Sequence, residues 1–157
     1  MGVYKAIAIG LFLSLVPSLA EGDQEDTTKA LECLSLNIYF EGRNQPWVGK
    51  LAIAQVTMNR VFSESFPDTV CEVVLQENMK TCQFSWWCDG KSDRPRNKKA
   101  WEESLRLASY VYSGLFENIE IVKGSTHYHA VYVKPYWTKM KKKVKVIADH
   151  VFYVWEK

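Results

Sequence analysis

The stretch TTKALECLSLNIYFEG at residues 27–42 decides the first element of the fold. Leu31, Leu34 and Ile38 follow one another at steps of three and four, and Glu41 continues the series. Residues at these steps lie on one face of a helix. The pattern therefore predicts a helix that begins near the two threonines, which are good capping residues, and ends at the glycine.

The position of Glu41 on this apolar face is the most informative feature of the sequence. A carboxylate among apolar groups costs free energy, and desolvation raises its pKa. A general acid that protonates a departing glycosidic oxygen needs a carboxyl group that keeps its proton near neutral pH. The simpler alternative is a glutamate at a frayed helix end that faces water or pairs with Arg43 or Arg60.

Further helices are expected downstream. Periodicity predicts one helix over Val48–Phe62 and another over Lys98–Leu115. Between them, Thr69 and Glu72 form a capping-box pattern for a short helix. The expected apolar stripe of the last helix consists of Trp101, Leu105, Ala108, Tyr112 and Leu115.

The last part of the sequence changes its period. Residues 127–133 and 144–155 alternate in steps of two, as strands do, and Ala148-Asp149 is expected to turn a hairpin. Helices first and a small antiparallel sheet last indicate a single small domain of the α+β class. Five lysines between positions 139 and 145 indicate a solvated hairpin edge or, alternatively, a surface for anionic polymers.

Composition points to export. The chain has 157 residues and a formal net charge of +2, so charge alone indicates no partner, and no nucleic-acid module is recognisable. Residues 1–20 have one lysine, an apolar run and small residues before position 21, which is the layout of a secretory signal peptide. The run is short for a membrane span, which needs roughly 20 residues, although an uncleaved anchor is the alternative. The catalytic domain is expected at 21–157, with a loose polar leader over 21–26.

Four cysteines in an exported chain suggest disulfides. Three pairings are possible for four cysteines. Cys82 and Cys88 bracket a short loop, which favours that pair and leaves Cys33 with Cys71. A zinc site made of cysteines has little support, because the sequence has no Cys-x-x-Cys spacing.

Several polar and aromatic residues are candidates for binding. Gln55 and Asn59 lie on an otherwise apolar helix face, where they could hold substrate or simply be satisfied buried amides. The loop Gln83–Trp87 combines aromatic and small polar groups, as sugar recognition requires, or it is a stapled structural loop with its tryptophans in the core. His127 and His129 share a strand face and could bind zinc with a third ligand.

Seven blocks of the sequence resemble the SleB/CwlJ cell-wall hydrolase family, in family order. They are residues 33–43, 49–61, 66–74, 82–90, 127–130, 133–137 and 149–153. The block CQFSWWCDG at 82–90 is the most distinctive. The version with four cysteines resembles the one found in Gram-negative bacteria and their phages.

The resemblance implies a catalytic helix that is distantly lysozyme-like. It also implies hydrolysis or lytic transglycosylation of the bond between N-acetylmuramic acid and N-acetylglucosamine, with a single essential glutamate and no metal or other cofactor. By motif position that glutamate is Glu41. Where the family usually reads EARGE, this chain has EGRNQ at 41–45, so a mechanism with a second carboxylate at position 45 is excluded.

The expected glycan groove combines the disulfide loop with the first strand of the sheet. Its residues are Gln83, Ser85, Trp86, His127, Tyr128 and Trp137. Asp89 is the candidate second acid if the reaction is a hydrolysis. The expected partner is peptidoglycan, and no nucleic-acid partner is expected. The protein is expected to be a monomer in the periplasm or cell envelope, without stable membrane insertion after signal cleavage. The alternatives are an amidase that cuts between muramic acid and L-alanine, possibly with zinc, and a non-catalytic glycan-binding module.

Overall fold

The computed structural model describes residues 21–79 and 81–155, so the predicted signal peptide lies outside the described residues. Four α-helices precede a three-stranded antiparallel sheet, which confirms the predicted α+β class. The helices are α1 (Glu21–Gly42), α2 (Trp47–Val61), α3 (Val70–Val74) and α4 (Lys98–Tyr112). The strands are β1 (Glu77–Asn78), β2 (Thr81–Cys82), β3 (His127–Ala130), β4 (Lys142–Ile147) and β5 (His150–Val154). Two 3₁₀ turns cover Ser85–Cys88 and Tyr136–Met140.

Helix α1 runs through the middle of the domain. Leu34 and Ile38 are fully buried, and so are Asn37 and Tyr39 on other sides of the same helix, because α2, α3 and α4 all pack around it. The prediction of a loose leader at residues 21–26 is wrong: this segment is helical and continues into the rest of α1 without a proline to interrupt it.

Helix α2 lies within one residue of its predicted bounds, whereas α4 ends three residues early. Gly114, at a φ of 78°, adopts the left-handed conformation that ends helices. The predicted stripe of α4 is also shifted, because Leu105 and Tyr112 are exposed. The buried face uses smaller side chains, which let α4 approach α1 closely: Ala100, Ser104, Leu107, Ala108 and Val111.

The short helix α3 begins as its capping pattern predicts. Thr69 is its N-cap, and the threonine hydroxyl accepts a hydrogen bond of 3.3 Å from the backbone N–H of Glu72. The same hydroxyl donates to the Glu72 carboxylate at 2.8 Å. The side chain and the first turn of the helix thus satisfy each other's polar groups.

The sheet has the strand order β3-β5-β4, so the last strand is central. The predicted hairpin turn joins β4 to β5, with Ala148 at a φ of 48°. Strand β4 is an edge, and its lysines are exposed, as the hairpin-edge interpretation predicts. No helix of the described part of the chain is long and apolar enough to cross a membrane.

Two disulfides have the pairing expected from the sequence. Cys33 in α1 is bonded to Cys71 in α3, and Cys82 is bonded to Cys88. The first bond closes 38 residues of chain and the second closes six. Because the loss of chain entropy on unfolding grows with loop length, the first bond should stabilise the fold more.

We expect the double variant Cys33→Ala with Cys71→Ala to lose about 4 kcal/mol of unfolding free energy, from the entropy of the loop that is no longer closed. The matched double variant Cys82→Ala with Cys88→Ala should lose about 2 kcal/mol. Urea unfolding followed by circular dichroism measures both. Equal losses for the two pairs would contradict the loop-entropy argument.

Candidate active site

An open cleft of about 460 Å³ lies where the end of α1, the disulfide loop and β3 meet. We call it the Glu41 cleft, because within its described lining Glu41 is the only acidic side chain. The lining also includes Phe40, Arg60, Gln83, Ser85, Tyr128 and Tyr132. The glutamate predicted from the helical pattern therefore lies in a cavity that is open to a ligand.

The carboxylate of Glu41 accepts a hydrogen bond of 2.9 Å from the hydroxyl of Tyr128. Burial raises the pKa of Glu41, while the Tyr128 hydrogen bond and the positive charge of Arg60 work in the opposite direction. Desolvation is the largest of these effects, so the carboxyl group keeps its proton to higher pH than an exposed glutamate does. Burial and the neighbouring Glu41 charge also raise the pKa of Tyr128, which remains a hydrogen-bond donor.

Arg60 is buried beside this pair without forming a direct ion pair. Its Nε donates to the carbonyl of Thr126 at 2.7 Å. Its guanidinium carbon lies 5.2 Å from the ring centre of Phe66 and 5.0 Å from that of Phe84. These contacts hold the cation near Glu41, where it is only 4% exposed, but they leave Nη1 without a hydrogen-bond partner.

A buried amide positions the disulfide loop against α1. Asn37 accepts a hydrogen bond of 3.1 Å from Nε1 of Trp86 and donates one of 3.0 Å to the hydroxyl of Thr57 in α2. Trp86 also stacks on Phe40 with ring centres 4.8 Å apart. At 6% exposure Trp86 has no free face for a sugar, so its predicted role in the groove is corrected to a structural one.

The other predicted groove residues divide between two places. Gln83 and Ser85 line the Glu41 cleft together with Tyr128. His127 and Trp137 do not: their rings pack on the opposite face of the sheet, with centres 5.6 Å apart. They point away because neighbouring residues in a strand face opposite sides, and Tyr128 faces the helices.

The structure gives no support to Asp89 as a second acid. It is exposed, it is outside the lining of the Glu41 cleft, and its carboxylate pairs with Lys91 at 3.1 Å. Hydrogen bonds from the backbone and side chain of Lys91 lower the pKa of Asp89. It therefore differs from Glu41 in its position and in the direction in which its pKa is shifted.

Several lining residues were not found by sequence reasoning. Tyr132 is 84% exposed on the loop after β3, and Val133 follows it. An exposed ring at the mouth of a cleft is suited to stacking on a sugar. No periodic signal marks these positions, because they lie between two regular elements, and only their place next to the β3 pattern could have suggested them.

The amides of helix α2 are satisfied by the chain itself. Gln55 bonds to the backbone of Ile119 and Ile121, and Asn59 donates to the carbonyl of Ser125 at 3.0 Å. These contacts tie the loop before β3 to α2. The simpler interpretation of both residues, as buried amides with partners, is therefore the one the structure supports.

Gln45 explains one departure from the family pattern. Its side-chain amide donates to the carboxylate of Asp149 at 3.0 Å and accepts from the Asp149 backbone N–H at 3.2 Å. A glutamate at this position would put a second carboxylate against Asp149. The amide instead joins the end of the α1 segment to the hairpin turn of the sheet.

His129 and His150 line the Glu41 cleft, but no histidine belongs to a group of three close ligand atoms among the described residues. Nε2 of His129 lies 3.0 Å from the hydroxyl of Tyr153, and Nδ1 lies 2.8 Å from the carbonyl of Ala130. Among residues 21–79 and 81–155, one group of three suitable side chains has ligand atoms close together. That group is Glu77 with Cys82 and Cys88, and its cysteines form a disulfide.

Residues 44–153 match the sequence pattern of the Cell Wall Hydrolase family. The chain belongs to this family. Membership confirms the resemblance seen in the sequence motifs. Glu41 lies just before the matched region, so its role depends on its geometry in the cleft and on the motif that it begins.

Relatives of known type are spore cortex-lytic enzymes. That of Bacillus cereus is 39% identical over 46 residues, which covers 29% of this chain and 18% of the relative. That of Oceanobacillus iheyensis is 33% identical over 75 residues, covering 48% of this chain and 26% of the relative. The matches thus span about a quarter or less of the relatives' own lengths.

Two solved structures share the fold. The catalytic domain of the Bacillus cereus SleB protein has a TM-score of 0.61 at 23% identity, covering 81% of this chain and 91% of that one. The catalytic domain of the germination-specific lytic transglycosylase SleB from Bacillus anthracis has a TM-score of 0.61 at 24% identity, covering 88% and 100%. These similarities establish the architecture of the Cell Wall Hydrolase domain in this chain.

We expect Tyr128→Phe to move the pH dependence of the enzyme. The tyrosine hydroxyl stabilises the ionised form of Glu41, so removing it raises the pKa of Glu41 further. If Glu41 must be protonated, the alkaline limb of kcat/KM on cell-wall substrate shifts to higher pH. A shift of this limb to lower pH would contradict the proposed effect of the hydrogen bond on Glu41. The control variant is Tyr110→Phe on α4.

We expect Glu41→Gln to stabilise the fold increasingly as pH rises. The folded-state pKa of Glu41 lies above the ordinary value of 4.5, so ionisation favours unfolding. The stabilisation contributed by the protonated group is complete below 4.5 and is lost as pH rises through the folded-state pKa. Glutamine does not ionise, so thermal unfolding at pH 8 should show a higher Tm for the variant. A difference in Tm between variant and native protein that is the same at pH 4 and pH 8 would contradict the raised pKa.

Proposed function

We propose that this protein is a lytic transglycosylase that cleaves the bond between N-acetylmuramic acid and N-acetylglucosamine in peptidoglycan. The observation that carries the proposal is the buried, Tyr128-bonded Glu41, with its raised pKa, in an open cleft. Membership of the Cell Wall Hydrolase family supports the substrate class. The known lytic transglycosylase with the same fold supports the type of reaction.

The reaction begins with proton transfer from Glu41 to the glycosidic oxygen. The bond from that oxygen to the anomeric carbon of muramic acid breaks, and the glucosamine strand leaves with the proton. Positive charge then develops on the muramoyl ring, and Glu41, now a carboxylate, balances it. Tyr128 is a positioning residue, since its hydrogen bond fixes one carboxylate oxygen and leaves the other for the substrate.

The second step closes the muramoyl ring. The carboxylate of Glu41 takes the proton of the muramoyl 6-hydroxyl, and the oxygen bonds to the anomeric carbon. The product has a 1,6-anhydro end, Glu41 is protonated again, and no water is consumed. One carboxylate suffices for this sequence, whereas hydrolysis by inversion or retention normally uses two.

The lining of the Glu41 cleft favours the one-carboxylate route. Glu41 is the only acid among its described residues, and Asp89 lies elsewhere, paired with Lys91. Gln83, Ser85 and Tyr132 supply an amide, a hydroxyl and an exposed ring around the carboxyl group. Such groups bond sugar hydroxyls and stack on sugar rings.

We further propose that residues 1–20 are removed as a signal peptide and that the domain over 21–157 acts as a monomer in the periplasm or cell envelope. The order of charge, apolar run and small residues supports the cleavage. Two disulfides support an oxidising compartment.

We expect Glu41→Gln to reduce lysis of purified Gram-negative peptidoglycan at least about 1,000-fold, because the amide donates no proton. Glu32→Gln, an exposed glutamate on the same helix, is the matched control and should keep full activity. Turbidity measures lysis, and mass spectrometry of the soluble products identifies the chemistry. Binding of the Glu41→Gln protein to the insoluble wall should persist.

Products with 1,6-anhydro ends support the proposal. Reducing sugar ends would mean hydrolysis and contradict the one-carboxylate mechanism. Free stem peptides with intact glycan strands would show an amidase and remove Glu41 from the chemistry. If the native protein binds the wall but releases no soluble product, the protein is a non-catalytic glycan-binding module.

A further inference from the structure

A second cleft, of about 470 Å³, is lined in part by Asn59 and His127, the sequence neighbours of Arg60 and Tyr128 in the Glu41 cleft. Its lining includes Asn59, Ser63, Phe66, Thr126, His127 and Trp155. The guanidinium carbon of Arg60, which lines the Glu41 cleft, lies 5.2 Å from the ring centre of Phe66, which lines the second cleft. Residues 127 and 128 are neighbours in β3, so the two clefts are one residue apart along the strand.

Two cations beside this second cleft each have one buried nitrogen without a hydrogen-bond acceptor. Nη1 of Arg60 is buried without a partner, and so is Nζ of Lys141. The Lys141 ammonium lies 3.5 Å from the ring centre of Trp155, which lines the cleft, and 5.8 Å from that of Trp137. Neither cation takes part in the ion pairs of the described residues, which use other lysines.

When Glu41 is protonated, the positive charges of Arg60 and Lys141 are not balanced by a negative charge on that residue. Glu41 is the acid that interacts with Arg60, and in its protonated form it carries no charge. The lining of the second cleft contains no acidic side chain, although the Glu120 carboxylate is close to Gly124. Burial, and to a smaller extent the charges of Lys141 and Arg60, lower the pKa of His127 to about 4.

Uncompensated buried cations are costly, and a bound anion would relieve that cost. The hydroxyls of Ser63 and Thr126 and the aromatic faces of Phe66 and Trp155 fit a ligand with both polar and carbon-rich parts. In peptidoglycan the groups with these properties are the stem peptides, which branch from muramic acid and carry the carboxylates of the polymer. The flexible stem of Lys141 lets its ammonium turn from Trp155 to a carboxylate.

We propose that the second cleft binds a carboxylate of the peptidoglycan stem peptide while the glycan strand lies in the Glu41 cleft. This inference rests on the proposed function for its substrate. It makes Lys141 a specificity-determining residue, because it would distinguish strands that carry peptides from strands that do not. Arg60 contributes to the attraction of the carboxylate through its fixed positive charge.

Two glycan substrates test this directly: strands with their stem peptides, and the same strands after an amidase has removed them. We expect the native protein to have a KM about ten-fold lower for the peptide-bearing strands. Lys141→Met should reduce that preference to about two-fold. Lys139→Met, an exposed lysine on the same turn, is the matched control and should keep the ten-fold preference.

A binding measurement keeps the proposal falsifiable if Lys141→Met does not fold. Calorimetry with the full Glu41→Gln chain should detect binding of the free tripeptide L-Ala-γ-D-Glu-diaminopimelate. The same tripeptide with its carboxylates converted to carboxamides should bind at least about ten-fold more weakly. Equal binding of the two forms would overturn the proposal. Equal KM values of the native protein for strands with and without stem peptides would also overturn it. Displacement of the tripeptide by inorganic phosphate at equal concentration would overturn it too, because it would indicate an unselective anion site.

These outcomes are separable from a failure of the proposed function. Reducing ends or free peptides among the products would contradict the transglycosylase mechanism without changing tripeptide binding. Anhydro products formed without preference for peptide-bearing strands would agree with the transglycosylase mechanism. They would overturn only the proposal that the second cleft binds a stem-peptide carboxylate.

Discussion

The buried amide of Asn37 is the interaction on which the rest of the site depends. It lies one turn before Glu41, has no exposed surface, and joins α1 to Thr57 of α2 and to Trp86 of the disulfide loop. A buried polar group that loses its partner costs about 1–3 kcal/mol, so the three elements hold a common position. That position places Gln83 and Ser85 in the same cleft as Glu41 at the end of α1.

Glu41 is tuned by opposing effects of unequal size. Burial favours the neutral acid, whereas Tyr128 and Arg60 favour the carboxylate. Arg60 does not dominate because Phe66, Phe84 and the Thr126 carbonyl hold its guanidinium in place without a direct ion pair. Burial therefore favours one protonation state and two neighbouring groups favour the other, and these are the two states between which a general acid and base alternates.

Local patterns in the sequence predicted what depends on neighbours along the chain. The 3.6-residue period located α2 within one residue, the capping box located α3, and the two-residue period located the hairpin. The apolar face that carries Glu41 was readable because its cost is local to one helix. The stripe of α4 was correct at Ala108 but wrong at Leu105 and Tyr112, because small residues such as Ala100 and Ser104 are buried in place of these large ones.

Features that depend on tertiary contacts were not readable. Whether Trp86 stacks on sugar or on Phe40 is decided by Asn37, which is distant in sequence. The position of Arg60 between two aromatic rings likewise requires three separate segments to meet. The amide at position 45 looked like the loss of an acid, and only the folded chain shows its contact with Asp149.

The central place of β5 has a consequence for the order of assembly. Tyr128 is held by pairing with Phe152, and the hydrogen bond from Tyr128 to Glu41 spans 87 residues of sequence. Contacts so distant along the chain form late in folding, because the entropy of closing the loop must be offset first. During synthesis, α1 emerges long before the strand that completes its environment. The acid is therefore present early, but Tyr128 gains its pairing partner in the sheet only with the last strand, so incomplete chains lack the strand that holds Tyr128 in place.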